Sequence, residues 1–459
     1  MGIIKQADID FILKKMFANN GEFAEIYFSE TETAGFTYLD GKVETASSGT
    51  ISGCGLRLIR NNETYFASLD APTMSSIVSL VSKLANVSVE SHNYTDNPVS
   101  INNSTIVKKT QTLQQYLKTV EETDKMLRAK SNQIKQISIQ ISTGSKKFFV
   151  ANSDNISAEN KKESAIFTIA IIVSDGKKGR ITQTAHEIIA TNTLQKIKPE
   201  DIKKISEIVY QRANNLLNIA VPTPACELPV VISASAGGTM IHEAIGHSLE
   251  ADAIQKGISP VYSGKLGKKV ANEKITVIDD PTIENARGSY QYDDEGTPAQ
   301  KTILVENGIL KNYLYDLFTA KKDRVESTGN GRRESYHHKP LPRMSNTYIA
   351  PGCEKPEEII KSVKKGIFVK KMGGGQVNTT NGDFIFEVEE GYEILDGQLG
   401  KMLRNASLIG NGPDVLNSID MVGSDLGWQH GTCGKEGQAV PVTDGQPTLR
   451  IPRITIGGI

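Results

Sequence analysis

The chain has 459 residues, more than one hydrophobic core usually organises, so two or three domains are the starting expectation. Its 52 basic and 53 acidic residues nearly cancel, which excludes a global field able to draw in nucleic acid or an anionic membrane. With 38% apolar and 23% charged residues, no stretch approaching the ~18 apolar residues of a membrane span and no long apolar leader, the sequence predicts a folded, cytoplasmic protein.

In chain order, "ADIDFILKKMFAN" carries apolar positions at helical spacing, and "AEIYFSETETAGFTYLDGKVETASSG" then alternates as strands do. Asp40-Gly41 between them is a two-residue hairpin signal. "GCGLRLIRNNETYFASLD" continues the sheet, and "TMSSIVSLVSKLA" predicts a helix. The polar interval from Glu90 to Ser104 is expected to be a surface loop, followed by a long amphipathic helix in "TLQQYLKTVEETDKMLRAK". "IKQISIQIST", "KKFFVAN", "ESAIFTIAIIVSDG" and "GRITQTAHEIIA" alternate between short turns, predicting antiparallel strands. After the helix "EDIKKISEIVYQRANNLLNIA", the stretch "VPTPACELP" marks a domain change near residue 222. The expected organisation is α+β: a helix-and-antiparallel-sheet domain over 1–222 and a strongly curved or barrel-like sheet domain over 223–459. In the second half "LPVVISASAGG" predicts a strand, and Asn307-Gly308 and Asp396-Gly397 predict further hairpins.

Cys54, Cys226, Cys353 and Cys433 are too scattered for a disulfide framework, and the first three are expected to be small core residues. The chemistry concentrates in "GGTMIHEAIGHSLEAD", where His242 and His247 are five apart with Glu243 beside the first. In an α-helix, residues four apart diverge by about 40° and residues five apart by about 140°, so a straight helix would not aim both rings at one ion. A π-turn advances about 82° per residue and brings positions five apart within roughly 50°, so a widened turn is predicted, easiest at Gly246. With zinc on His242 and His247, Glu243 would hold and deprotonate a metal-bound water. Catalytic zinc usually takes three protein ligands. Glu250, one turn past His247, and Cys433, in the glycine-rich "GWQHGTCGKEGQAVP", could each supply the third, and spacing favours neither.

Other candidates weigh less. His337-His338 are adjacent in an extended segment and face opposite sides, a poor ligand pair. Arg332 and Arg333 either grip a peptide carboxylate or close structural salt bridges. The run Asp293, Asp294, Glu295 is expected to stabilise a turn. Gly373-Gly374-Gly375 lacks the lysine and serine of a phosphate-binding loop. His430, three before Cys433, is either a group supporting the ligands or a loop residue.

These residues resemble the TldD/PmbA family, and specifically its TldD branch of metallopeptidases. The resemblance runs over nearly the whole chain, through "AEIYFSE", "GCGLRLI", "HEAIGHSLEAD", "YQYDDEGTPAQKT", "STGNGRRESYHHKPLPRMSNTYI" and "GTCGKEGQAVPVTDGQPTLRIPRITIGG". It implies zinc ligands at His242, His247 and Cys433 and a general base at Glu243, which leaves Glu250 to support a ligand from outside the coordination sphere. It also implies an α+β subunit that dimerises with itself or with a TldE/PmbA-like subunit, with the metal in an enclosed cavity acting on unfolded peptides. Two alternatives remain: a non-catalytic regulatory subunit of such a complex, for which a general base has no use, and a cysteine-nucleophile hydrolase built on Cys433.

Overall fold

The computed structural model describes residues 5–87, 99, 106–176, 182–378 and 380–458. Apart from Val99, the 90–104 interval expected to be a loop lies almost wholly outside them. The helices α1 (Gln6–Met16), α2 (Met74–Ala85), α3 (Ile106–Arg128) and α4 (Pro199–Asn218) fall where the periodicity predicts, within a few residues at each end except that α3 begins six residues early. Thr73 caps α2 by accepting the Ser76 N–H, and proline opens α4 where its missing N–H costs nothing.

Six long strands build the first sheet: β1 (Phe23–Leu39), β2 (Lys42–Arg60), β3 (Glu63–Asp70), β4 (Ile134–Asn152), β5 (Ser157–Ser174) and β6 (Thr182–Thr191). They pair antiparallel in the order β3-β2-β1-β4-β5-β6. One face holds α1 and α2 over a core including Ile12, Ile26 and Leu56, and another stretch holds α3 and α4 over Ile139, Phe167 and Ile169.

The remainder contains the barrel-like sheet that the sequence predicts, together with a second large sheet and a two-stranded pair, Gly331–Arg332 with Leu341–Pro342. The strands that matter are β7 (Cys226–Ile232), β8 (Val277–Asp279), β9 (Thr302–Glu306), β10 (Asn346–Ile349), β11 (Lys365–Val377), β12 (Asp383–Leu395), β13 (Gln398–Arg404), β14 (Ala406–Asn411), β15 (Gly427–Lys435), β16 (Gln438–Gln446) and β17 (Leu449–Gly457). A closed five-stranded barrel runs β11-β7-β17-β14-β12, with β12 pairing back onto β11. A second sheet runs β9-β8-β10-β16-β15 and leaves β15 at its edge. The segment "GGTMIHEAIGHSLEAD" is buried in the one large core these two sheets share, among Met240, Ile241, Ile245 and Leu249.

All three hairpin signals turn as their chemistry requires: Asp40-Gly41, Asn307-Gly308 and Asp396-Gly397 each have positive φ at both residues. Gly373-Gly374-Gly375 sits inside β11, where the pairing with β12 shifts register. Two cysteines depart from expectation. Cys54 is buried, but Cys226 is half-buried and Cys353 is exposed, because Cys353 lies on the turn after β10 rather than in an element with an apolar face.

A buried ion network joins β1, β2 and β4 to the segments at 293–295 and 331–333. Arg57 contacts Glu25 at 3.1 Å and Glu295 at 2.5 Å, and Arg333 reaches the other oxygen of Glu25 at 2.6 Å. Asp294 accepts from Lys146 and from the Tyr27 hydroxyl, at 3.1 and 3.0 Å. Asp293 does stabilise a turn, accepting the N–H groups of Glu295 and Thr297, while Asp294 and Glu295 serve this network instead. Each arginine is paired with carboxylates that the first sheet or the acidic run supplies, as buried charge requires.

Candidate metal centre

The local chain path explains why His242 and His247 can meet. Residues Thr239–Ile241 begin a helix, His242–Gly246 widen into a π-turn, and His247–Leu249 tighten into a 3-10 turn. The His247 N–H bonds to the His242 carbonyl, five residues back, and this extra residue per turn brings the two rings to one side. Their centroids lie 5.0 Å apart with planes at 89°. Gly246 is needed for space rather than for an unusual φ: its backbone is helical at φ −56°, but a Cβ would fall 2.0 Å from Met344 Sδ. Gly238, at the start of the helix, likewise lets the chain run against Asp444 and the Gly445 N–H, where a Cβ would stand 2.4 Å from backbone.

Cys433 comes from β15, 186 residues beyond His247, and its Sγ lies 3.4 Å from His247 Nε2. The potential donor atoms of His242, His247 and Cys433 all lie within 4.8 Å of one another. Tetrahedral zinc with N and S ligands at about 2.05 and 2.3 Å would separate such donors by about 3.5 Å, so shifts on the order of 1 Å seat all three on one ion. A donor set of two imidazoles and a thiolate suits zinc.

Each histidine is held by a carboxylate on its other ring nitrogen. Asp444 Oδ1 lies 2.7 Å from His242 Nδ1, and Glu250 Oε2 lies 3.0 Å from His247 Nδ1. That arrangement leaves both Nε2 atoms for a metal and fixes ring orientation. Burial would lower both imidazoles, but Asp444 holds His242 well above the usual histidine range, and Glu250 with Cys433 pushes His247 up to about 10. Burial would raise Cys433, yet its hydrogen bonds to His242 and His247 bring the thiol down to about 5, the thiolate state a metal ligand needs. Burial would also raise Glu250, but Lys435 and His247 draw it down to about 2. Glu243, next to His242 in the π-turn, is half-buried, and its carboxylate makes no hydrogen bond or ion pair among the described residues.

Three supporting residues carry no sequence signal. Asp444 lies 202 residues from His242, and its link to that ring is made only by β16 folding against the π-turn. Arg343, fully buried, donates to the Cys433 carbonyl at 2.6 Å and to the Gln438 carbonyl at 3.3 Å, bracing the β15–β16 hairpin. Lys435 bridges Glu250 and Asp252 at 3.0 and 2.6 Å. The sequence of β15, GWQHGTCGK, with Lys435 its one charged residue, gives no hint of these contacts.

Other candidates lie apart from the trio. His430 pairs with Thr443 across the hairpin, its Nδ1 3.4 Å from the Thr443 hydroxyl; three residues from Cys433, it faces the other side of the strand. His337 approaches Asp70 at 3.2 Å, and His338 Nδ1 lies 3.0 Å from the Ser335 hydroxyl. Arg333 closes the structural bridge to Glu25, whereas Arg332 donates to the carbonyls of Met344 and Pro441.

The profile of the PmbA/TldA metallopeptidase C-terminal domain matches residues 225–458, and that of domain 1 of the same metallopeptidases matches residues 24–88. A metalloprotease TldD homolog of Haemophilus influenzae is 34% identical over 96% of this chain and 94% of its own length. A metalloprotease of Methanocaldococcus jannaschii is 35% identical over 94% and 96%. A zinc metalloprotease TldD homolog of Saccharolobus solfataricus is 28% identical over 97% and 99%. In fold, TldE from Thermococcus kodakarensis superposes with a TM-score of 0.73 at 19% identity, covering 98% of this chain and all of that one.

Proposed function

The chain belongs to the TldD/PmbA family of metallopeptidases, and from that premise we propose that it is a zinc-dependent peptidase cleaving unfolded or extended peptides at His242, His247 and Cys433. The observation that carries the reading is the approach of Cys433 Sγ to within 3.4 Å of His247 Nε2 across 186 residues. A metalloprotease is the name of its full-length relatives, one of them specifically a zinc enzyme.

A zinc ion held by the trio supplies a Lewis acid for the scissile carbonyl and acidifies water. Glu243, whose carboxylate has no partner among the described residues, takes a proton from the attacking water and returns it to the leaving amine. Asp444 and Glu250 keep the two rings oriented, and Arg343 fixes the backbone that carries Cys433. β15 is an edge strand, so an extended peptide can pair its backbone along it, selecting for unfolded chains rather than for sequence. The same reading divides the chain into 1–222 and a catalytic 223–459. It places the site in an enclosed cavity formed with a second copy or a TldE/PmbA-like subunit, in the cytoplasm. The shared fold with the archaeal TldE supports such pairing.

The deciding experiment compares the wild type with Glu243→Ala for zinc content and peptide cleavage. Retained zinc with cleavage reduced roughly 10²-fold or more is expected. Undiminished cleavage would remove Glu243 as the base, and a chelator-resistant activity would point to a thiol hydrolase.

A further inference from the structure

We infer that Lys162, Arg287 and Arg332 form a carboxylate-binding site for the peptide, on the side of the β15–β16 hairpin opposite the histidines. The identity of the anion rests on the peptidase reading; the site itself does not.

The contrast with neighbouring cations is what points to a missing anion. Arg57, Arg333 and Lys146 each meet a carboxylate of the protein. Among the described residues, Lys162, Arg287 and Arg332 meet none. Arg332, 4% exposed, is held by the carbonyls of Met344 at 2.5 Å and Pro441 at 2.8 Å, with its guanidinium over the Tyr290 ring. Arg287 donates from Nη2 to the Thr432 hydroxyl at 2.9 Å, and its buried Nε has no acceptor. The Lys162 ammonium donates to the carbonyl of Arg287. Burial, reinforced by Arg332, Arg287 and Lys146 and only partly opposed by Asp294, holds that ammonium well below the usual lysine range. Asp294 acts on Lys162 and Arg332 from a distance but makes its contact with Lys146, so three cations gathered this way lack a carboxylate in contact, and backbone carbonyls satisfy donors without neutralising charge. Glu159 and Glu284 line the same cavity of about 920 Å³ as Lys162, but both are exposed and pair with none of the three.

The position relative to the metal ligands supplies the ligand class. Arg287 and Arg332 anchor on Thr432 and Pro441, which are partners across the hairpin, one step from the Cys433 and Val440 pair. Adjacent strand residues face opposite sides, so Arg287, held by the Thr432 side chain, stands behind the strand whose front carries the sulfur, with the Lys162 ammonium on its carbonyl. A peptide extended along the β15 edge alternates in the same way. A carboxylate an odd number of residues from the one at the metal faces these cations, whether it is the chain terminus or an acidic side chain.

The test titrates three fluorescent, otherwise identical peptides onto the full-length protein: an amidated neutral one, one ending in a free carboxylate, and an amidated one with Asp replacing Asn. At least one acidic peptide is expected to bind about 10-fold more tightly than the neutral one, and which one identifies the source of the carboxylate. That difference should collapse in Lys162→Met and in Arg287→Gln, while Lys162→Met melts no lower than the wild type because a desolvated ammonium is gone. A purely structural lysine would instead lower the melting temperature. Equal affinity for all three peptides, or an acid preference that survives both substitutions, overturns the site. Cleavage of the neutral peptide is followed in parallel: cleavage without acid preference removes the carboxylate site alone, and acid preference without cleavage supports the site while removing the peptidase reading.

Discussion

Asp444 and Glu250 do for His242 and His247 what neither histidine can do alone, which is to choose the ring nitrogen that is turned toward Cys433. Hydrogen bonds of 2.7 and 3.0 Å to Nδ1 leave Nε2 directed at Cys433 Sγ. Removing such a support typically costs 10- to 100-fold in metal affinity. Asp444→Asn is therefore expected to weaken zinc binding by about that factor while leaving the fold intact, measured by competition with a chromophoric chelator. Affinity unchanged from wild type would show that packing alone orients His242. Glu250 should be the more sensitive of the two, because Lys435 also depends on it. Glu250→Gln leaves Lys435 with one carboxylate, Asp252, beside the Pro342 carbonyl, so a loss of stability is expected beside weaker zinc binding.

At the scale of elements, the π-turn is the device that converts an unfavourable spacing into a site. Five-residue separation in an α-helix would send the rings about 140° apart, and the widened turn corrects this with one additional residue. The spacing of His242 and His247 contains that conclusion, since no regular helix satisfies it. The reason Gly246 occupies the turn is not contained there: Met344 lies against it from a distant segment. Gly246→Ala should accordingly cost roughly 1–3 kcal/mol by overpacking and should reduce zinc affinity as the turn shifts. Denaturant melts and zinc titrations of the same preparation check both, and a fully stable variant with lost zinc would separate ring placement from packing.

The whole molecule is held together by buried charge as well as by its cores. Arg212 on α4 contacts Glu187 on β6 at 2.8 Å and, on β12, Glu389 at 3.2 Å and Glu390 at 2.8 Å. Burial would raise Glu187 and Glu390, but Lys371 with Arg212 in one case, and Lys370 with Arg212 in the other, hold both below the usual carboxylate range. Carboxyls depressed in the folded state stabilise it above the unfolded value near 4.3, and that contribution is lost as pH falls through their folded pKa. The melting temperature of the wild type should thus drop as pH is lowered from about 5 to about 3. Arg212→Met should start roughly 3–5 kcal/mol less stable and show a shallower drop over that range. Parallel slopes would mean that the acid sensitivity arises elsewhere.

Periodicity, turn chemistry and the motif at 242–247 are local properties, and the sequence by itself determined them: the positions of α1, α2 and α4, the three positive-φ hairpins, the widened turn and the two imidazoles. Each depends on residues within about one turn or one strand of one another. That Cys433 reaches the Nε2 of His247 while Glu250 takes its Nδ1, the separation of the second half into a barrel and a sheet, and the partners of Arg332 and Arg333 were decided only by tertiary structure. In those cases residues of the same chemical character compete, and the winner is set by which strands lie beside the π-turn, a fact of long-range packing that no local pattern encodes.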